Sequence, residues 1–246
     1  MAKFSQITPK FNLIFFSLSL FISSVFVSWV ILAQVNFGYS VLYPTMNIDQ
    51  HITKYGPQNR YRRGFELTDK AEHKRLFATI VDEIHNDGAN LAKIVYRLPN
   101  SEPVRTLLRK PEVVHLQDVA HLINQFYVVA IIAIVITLIY VGYFNFRKIP
   151  LPSIKQQAIG IISFCGVCTL LILLIGPVKV FYALHEWIFP DNHQWFFYYQ
   201  ESLMTILMKA PDLFGAITAF IAILAIAIYL GANRLLHLIE YKKSKK

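Results

Sequence analysis

Four long stretches of the chain contain no charged residue, and this feature limits its possible folds more than any other. They run from Phe11 to Ala33, Phe126 to Phe146, Ala158 to Val178 and Leu213 to Asn233. Each can cross a bilayer as a helix, which takes ~20 predominantly apolar residues. Only 16% of the 246 residues are charged, which is low for a soluble domain of this length. The pattern predicts an all-α, polytopic membrane protein with four transmembrane helices.

The first apolar stretch begins close to the amino terminus, where a cleavable signal peptide is the competing interpretation. Its uncharged run is longer than the ~7–15 residues of a signal-peptide core. Ile31 stands two positions before Ala33, where a cleavage site would have a small residue. We therefore expect this stretch to be the first span of a single membrane domain covering residues 1–246.

The net positive charge is confined to three short segments. The segments before residue 11, between residues 147 and 157, and after residue 233 hold ten basic residues and one acidic residue. The loops 34–125 and 179–212 hold fourteen of each, so the net charge of +9 lies on the three short segments. Cytoplasmic segments carry the excess of Lys and Arg. We therefore expect cytoplasmic termini and outward-facing loops, and no nucleic-acid partner is needed to explain the charge.

The outward loop between spans one and two has helical patterning of its own. After a capping Thr68, and before a break at Asp87 and Gly88, apolar residues recur at helical spacing: Leu76, Phe77, Ile80, Val81 and Ile84. Such spacing is typical of a helix with one buried face. Pro111 suits the first turn of a second helix, and no breaker precedes the second span. We expect a large helical loop and one continuous helix from Pro111 through span two.

The second outward loop is unusually aromatic. Trp187 and Trp195 lie among many Phe and Tyr residues between Phe181 and Tyr199. Aromatic residues at this density are typical of the headgroup level, where their apolar rings and polar tips are both satisfied. We expect this segment to lie along the outer membrane interface.

The candidate catalytic residues lie just outside spans two and three. The spans contain no charged side chain and no histidine, which argues against an ion pump, a transmembrane proton relay or a transmembrane haem protein. His115 and Asp118 are three residues apart on one helix face, where a carboxylate can orient an imidazole. His185 and Glu186 follow span three. Because a short loop makes helices two and three antiparallel neighbours, the two histidines can converge.

Two histidines and an acid beside dense aromatic residues suit acyl chemistry on a lipid ester. A neutral imidazole can accept a proton from an amine or a hydroxyl near neutral pH. The chain has no Gly-x-Ser-x-Gly motif, so a serine acyl-enzyme is not indicated. A metal site built from His115, Asp118, His185 and either Glu186 or His193 is a weaker alternative, because no His-Glu-x-x-His motif supports it.

Several short elements around these residues resemble those of a known family. Val114–Val119 is similar to a His-Leu/Met-x-Asp-Val element. Leu184–Phe189, Trp195-Phe196 and Ala210–Phe214 resemble Phe-His-x-x-Phe-Phe, Trp-x-Phe and Phe-Pro-x-x-Phe elements. The family is the four-span bacterial membrane proteins that include lipoprotein intramolecular transacylase, known as Lit. The matched topology covers nearly the whole chain.

The resemblance implies an enzyme of the bacterial cytoplasmic membrane that shifts an acyl chain within a lipoprotein. The chain would move from the glyceryl ester of the amino-terminal cysteine to the α-amino group of that cysteine, leaving a lyso form. The implied partners are a diacylglyceryl lipoprotein or a phospholipid-like substrate and membrane lipid. No cofactor is implied, since the acyl group is already activated as an ester.

The resemblance also gives each candidate residue a role. His185 is expected to be the general base and His115, steered by Asp118, its partner, although the reverse assignment stays open. The residues expected to contact the substrate are Glu186, Trp187, Trp195 and Tyr43. No metal is expected. His193, His51 and His73 lie outside the matched elements and are expected to tolerate alanine. The alternatives are a non-catalytic membrane assembly or scaffold protein and a metal-dependent membrane hydrolase.

Overall fold

The computed structural model describes residues 2–99 and 105–244, and the side chains of residues 11–99 and 105–242. The elements, in chain order, are helices α1 (Ala2–Ala33), α2 (Tyr39–Thr45), α3 (Ile48–Tyr55) and α4 (Lys70–Ile84), strands β1 (Val95–Tyr96) and β2 (Arg105–Thr106), and helices α5 (Lys110–Arg147), α6 (Ile154–Ile175), α7 (Pro177–Ile188), α8 (Leu203–Leu207) and α9 (Asp212–Ser244). The two short strands pair antiparallel, with Val95 opposite Thr106.

Four of these helices are long and apolar enough to cross a membrane. Within the described residues the candidate spans are Phe11–Ala33, Lys110–Arg147, Ile154–Ile175 and Asp212–Lys242. This confirms the predicted class, a helical membrane protein with four spans. Because α5 begins at Lys110 and continues to Arg147, the prediction of one unbroken helix from Pro111 through span two is also confirmed.

The helix of the third span ends earlier than the charge pattern suggested. The uncharged stretch runs to Val178, but α6 ends at Ile175 and α7 begins at Pro177. Gly176 separates them with φ of 102°, a backbone conformation that glycine adopts readily and other residues rarely do. Proline at the first position of α7 suits a new helix start. His185 therefore lies on a separate helix that begins after this break.

Helix α4 is the helix predicted inside the first outward loop. Its apolar stripe is buried at Leu76, Phe77, Ile80 and Val81. The predicted amino-terminal cap, Thr68, was wrong by one residue. Asp69 is the cap, because its side chain accepts a hydrogen bond from the backbone N–H of Glu72 at 2.8 Å. The Thr68 hydroxyl instead donates to the carbonyl of Phe65.

The chain forms two compact units. The first, here called the span unit, comprises Met1–Val30, Tyr127–Tyr182 and Ile221–Lys246. The second, called the loop unit, comprises Ile31–Phe126 and Ala183–Phe220. The interpretation of residues 1–246 as a single membrane domain stays a prediction.

The span unit has a small aromatic core and hydrogen bonds between helices. Its buried cluster consists of Phe16, Leu20, Phe144 and Tyr229. The Thr137 hydroxyl donates to Ser19 Oγ at 3.0 Å. Small polar residues at such contacts let transmembrane helices approach closely and hydrogen-bond across the interface.

The loop unit has a core of the kind found in a water-soluble domain. Its fully buried side chains come from every part of the unit and include Tyr39, Ile48, Ile52, Phe65, Leu76, Ile80, Leu91, Tyr96, Leu107, Leu203 and Ile206. The start of α5 and the segment after α7 belong to this unit, with Leu116 and Phe197 buried in it, and these two regions carry the candidate site.

Candidate functional site

The amino-terminal end of α5 is anchored by a buried carboxylate. Glu112 lies in the first turn and is fully buried. One of its oxygens accepts a hydrogen bond from the backbone N–H of Arg109 at 2.6 Å, as suits the amino-terminal end of a helix. The other accepts a hydrogen bond from the hydroxyl of Ser202, the residue that caps α8. This contact joins two elements of the loop unit one turn before His115.

His115 lies in the next turn of α5, among aromatic rings. The centre of its imidazole is 4.9 Å from the ring of Phe189 and 5.9 Å from the ring of Phe197. Its Nδ1 atom is buried and has no hydrogen-bond partner among the described residues. The guanidinium carbon of Arg109 lies over the Phe197 ring, 5.9 Å from its centre, and brings a positive charge to this small cluster.

His185 lies in the last turn of α7 and contacts the same aromatic cluster. The centre of its ring is 5.4 Å from Phe189 and 4.8 Å from Trp195. Phe189 therefore contacts both imidazoles. The structure thus brings together the two histidines that the sequence singled out.

Asp118 makes a different contact from the one expected. Its Oδ2 atom accepts a hydrogen bond from Nδ1 of His193 at 2.7 Å. The expectation that Asp118 steers His115 stays a prediction, since the hydrogen bond shown for this carboxylate goes to His193.

Sequence reasoning missed the contact of His193 with Asp118, from which it is 75 positions away, and expected His193 to tolerate alanine. Its backbone N–H donates to the Pro190 carbonyl at 2.9 Å, which places it in a turn between two of the aromatic residues of the site. A turn that begins at Pro190 can be read from the sequence, but the helix that the turn faces cannot.

The expected substrate-binding residues separate into two groups. Trp195 packs against His185. Glu186 and Trp187 lie on α7 beside His185, and Trp187 is 82% exposed. Tyr43 makes its contacts in a different cluster, where it is buried and its hydroxyl donates to Nδ1 of His73 at 2.8 Å.

The cluster around His73 is a chain of hydrogen bonds beside a cavity of about 240 Å³. Because the Thr68 hydroxyl donates its proton to a backbone carbonyl, it accepts a hydrogen bond from Nε2 of His73 at 2.6 Å. His73 is then the acceptor for Tyr43 at Nδ1, so its imidazole is neutral. Burial lowers the pKa of His73 to about 4, and burial together with the nearby Asp49 carboxylate raises the pKa of Tyr43 to about 12.

The described residues contain no group of three or more His, Cys, Asp or Glu side chains placed to hold a metal ion. The four-ligand site considered from the sequence is therefore not assembled in this part of the chain. What the geometry does offer is two imidazoles in an aromatic pocket, with a third imidazole hydrogen-bonded to an aspartate nearby.

Comparison with known proteins identifies the family. The profile described as lipoprotein intramolecular transacylase Lit matches residues 11–210. This range contains the two catalytic candidates, His115 and His185, as well as Asp118 and His193. No curated protein matches the chain significantly.

Solved structures of the membrane-integral lipoprotein intramolecular transacylase Lit from Bacillus cereus are similar to this chain in fold. A form with a histidine-to-arginine mutation is 17% identical, with a TM-score of 0.68 over 100% of this chain and 98% of that chain. A form with a histidine-to-alanine mutation is 18% identical, with a TM-score of 0.67 over 100% of this chain and 99% of that one. A third structure gives 16% identity, a TM-score of 0.64 and coverage of 98% and 100%. Since the family profile covers most of the chain and the fold agrees along its whole length, this protein belongs to the lipoprotein intramolecular transacylase (Lit) family of membrane-integral enzymes.

Proposed function

We propose that this protein transfers an acyl chain within one bacterial lipoprotein molecule, from the glyceryl ester of the amino-terminal cysteine to the α-amino group of that cysteine. The observation that carries the proposal is the contact of both His115 and His185 with the ring of Phe189. Two imidazoles held beside one aromatic ring can serve a single reacting group, as a base and as a hydrogen-bond donor.

In the proposed mechanism His185 takes a proton from the amine as the nitrogen attacks the ester carbonyl. An α-amine has a pKa of ~8, so the form that attacks is the neutral amine already present near neutral pH. His115 donates a hydrogen bond to the oxyanion of the tetrahedral intermediate. When the bond between the carbonyl carbon and the glyceryl oxygen breaks, His185 returns its proton to that oxygen. The products are an N-acyl cysteine and a free glyceryl hydroxyl, so the step balances without a cofactor.

The surroundings suit a reaction whose donor and acceptor belong to the same molecule. Holding the amine against the ester replaces a bimolecular encounter, and orientation of this kind supplies a large part of the rate. The rings of Phe189, Phe197 and Trp195 offer an apolar wall for the lipid part of the substrate. They also reduce the access of water, which would otherwise compete with the amine for the ester.

The proposed location is the bacterial cytoplasmic membrane, with both termini in the cytoplasm and the site on the outer face. The support is the concentration of the net charge of +9 on three short segments. In a background in which Cys165 and Cys168 are serine, Asn192→Cys in intact cells should react with a membrane-impermeant maleimide. Lys242→Cys should react only after permeabilisation. The opposite labelling pattern would invert the topology.

The catalytic test measures conversion of a diacyl lipopeptide to its N-acyl lyso form by mass spectrometry. His115→Ala and His185→Ala should each lower the rate ~100- to 10,000-fold, the usual cost of removing a general acid or base. His121→Ala, an exposed histidine on the same helix as His115, is the matched control and should keep full activity.

Three other outcomes would contradict the proposal. Full activity in both catalytic variants would place the chemistry elsewhere. No product from the wild-type protein would favour a scaffold or assembly role. Loss of activity with a chelator would favour a metal-dependent hydrolase.

A further inference from the structure

The hydrogen bond between His193 and Asp118 has no role in the mechanism above. We propose that His193 is a positioning residue. It fixes the aromatic segment Phe189–Phe197 against α5 and so maintains the relative position, or register, of the two catalytic histidines. The inference rests on the proposed function, because the register matters only if His115 and His185 act on one substrate.

The segment that His193 belongs to supplies the surroundings of both catalytic candidates. Phe189 and Phe197 contact His115, while Phe189 and Trp195 contact His185. The segment follows the last residue of α7 and has no helix or strand of its own. Irregular segments depend on specific hydrogen bonds for their position, because no regular ladder fixes them.

The contact with Asp118 is well placed to fix this segment. His193 lies in the middle of it, and its Nδ1 atom is 2.7 Å from Asp118 Oδ2. The two side chains are 31% and 16% exposed, so water screens the pair less than it screens a surface ion pair. A hydrogen bond to an ionised carboxylate is also stronger than a neutral one. Since Asp118 is one turn beyond His115, the bond joins the segment to α5 next to the catalytic site.

The same bond determines the orientation of His193. With Nδ1 donating to the carboxylate, the neutral ring keeps its proton on Nδ1, and Nε2 points away from Asp118. The function assigned here depends only on the donor at Nδ1. A positioning role can therefore be distinguished from a proton-transfer role. A side chain that donates a hydrogen bond from the same place but does not titrate should preserve a positioning role and abolish a proton-transfer role.

Three substitutions of His193 test the inference. His193→Ala removes the donor and should lower kcat about 10- to 100-fold, because a displacement of ~1 Å in a reacting group costs on the order of 100-fold. KM should change less than kcat, since the aromatic rings that meet the lipid are all kept and only their position is loosened. In His193→Asn the amide nitrogen lies close to the former Nδ1 position and should restore most of kcat, with the pH profile of the wild type. In His193→Gln the donor lies one bond too far, and recovery should be weaker.

A double variant measures whether the two partners act together. If the hydrogen bond carries the effect, His193→Ala should cost nothing further in an Asp118→Ala background. Independent, multiplying losses would mean that the two residues act separately and would overturn the inference. His121→Ala is the control for loss of a histidine from the loop unit.

Amide hydrogen exchange separates this inference from the proposed function, because it needs no substrate. Residues 189–197 should exchange faster in His193→Ala than in the wild type or in His193→Asn. If the wild type forms no N-acyl product but this pattern is seen, the proposed function fails, while the part of the inference that concerns structure, the fixing of the segment against α5 by His193, stands. Full kcat in His193→Ala, unchanged exchange, or a loss in His193→Asn as deep as in His193→Ala would each overturn the positioning role.

Discussion

The span unit and the loop unit are both rich in apolar side chains, yet they present them to different surroundings. In α6, no residue after Gln157 is buried within the protein. In the loop unit, apolar side chains such as Phe65, Leu76 and Leu203 are almost completely buried. An exposed leucine on α6 is solvated by lipid, whereas an exposed leucine in the loop unit meets water or headgroups. Exposure of an apolar side chain therefore costs little free energy in the span unit and more in the loop unit.

The same contrast explains why the candidate site belongs to the loop unit. In lipid, polar side chains are costly unless they are paired, and the buried polar side chains of the span unit are hydroxyls and amides. Ser28 and Thr137 bond a neighbouring helix, and Ser23 and Ser24 bond carbonyls of their own helix. The loop unit has a packed core that can hold an unpaired imidazole atom, as at His115 Nδ1. A catalytic group needs both a fixed position and unused hydrogen-bonding capacity, and this unit provides both.

The sharpest test of the comparison replaces two leucines of similar exposure with lysine. Leu170 on α6 is 56% exposed, and Leu67 in the loop unit is 63% exposed. Leu170→Lys should raise the apparent free energy of membrane insertion of the α6 segment by about 3 kcal/mol. Leu67→Lys should change the free energy of unfolding by no more than about 0.5 kcal/mol, as surface substitutions usually do.

Both variants can be compared with their alanine counterparts, which remove the same side chain without adding charge. The measurements are the inserted fraction of α6 in a reporter fusion and the thermal midpoint of the purified protein in lipid. If lysine were tolerated equally at the two positions, α6 would not face the hydrocarbon core, and the difference between the units would disappear.

Sequence patterns predicted the long elements of both units. Absence of charge is enough to locate a span, and helical spacing is enough to locate α4, because each depends on local composition alone. The predicted end of the third span was less accurate. A conformation such as that of Gly176 interrupts a helix without any change in polarity, so hydropathy alone could not locate it.

The candidate site was only partly predictable for a related reason. His115 and His185 stood out because each lies in a recognisable element at the end of a span. The partner of Asp118 did not, because its contact with His193 joins distant parts of the chain. The placement of Tyr43 beside His73 likewise depends on how α2 packs against α4, and no spacing rule gives that.

The pairing of Tyr43 with His73 leads to the smallest effect expected here, a dependence of the stability of the loop unit on pH. Burial, which outweighs the charges of Asp69 and Glu72, lowers the pKa of His73 from its ordinary 6.5 to about 4. The unfolded chain therefore binds a proton first as the pH falls. The stabilisation contributed by neutral His73 should be complete above pH 6.5 and should be lost as the pH falls towards 4.

Thermal unfolding of the purified protein between pH 7.5 and about 4 checks this expectation. The midpoint should begin to fall near pH 6.5, above the range in which ordinary carboxyl groups titrate. His51, which is buried beside Lys209 and whose pKa is also lowered to about 4, should contribute in the same direction. The decline should therefore be reduced, and not abolished, in His73→Gln, and it should be unchanged in His121→Ala.

A midpoint independent of pH over this range would mean that protonated His73 is accommodated in the folded protein. In that case the hydrogen-bond chain from Thr68 to Tyr43 would not require a neutral imidazole, and the loop unit would tolerate a buried charge that its core is expected to exclude.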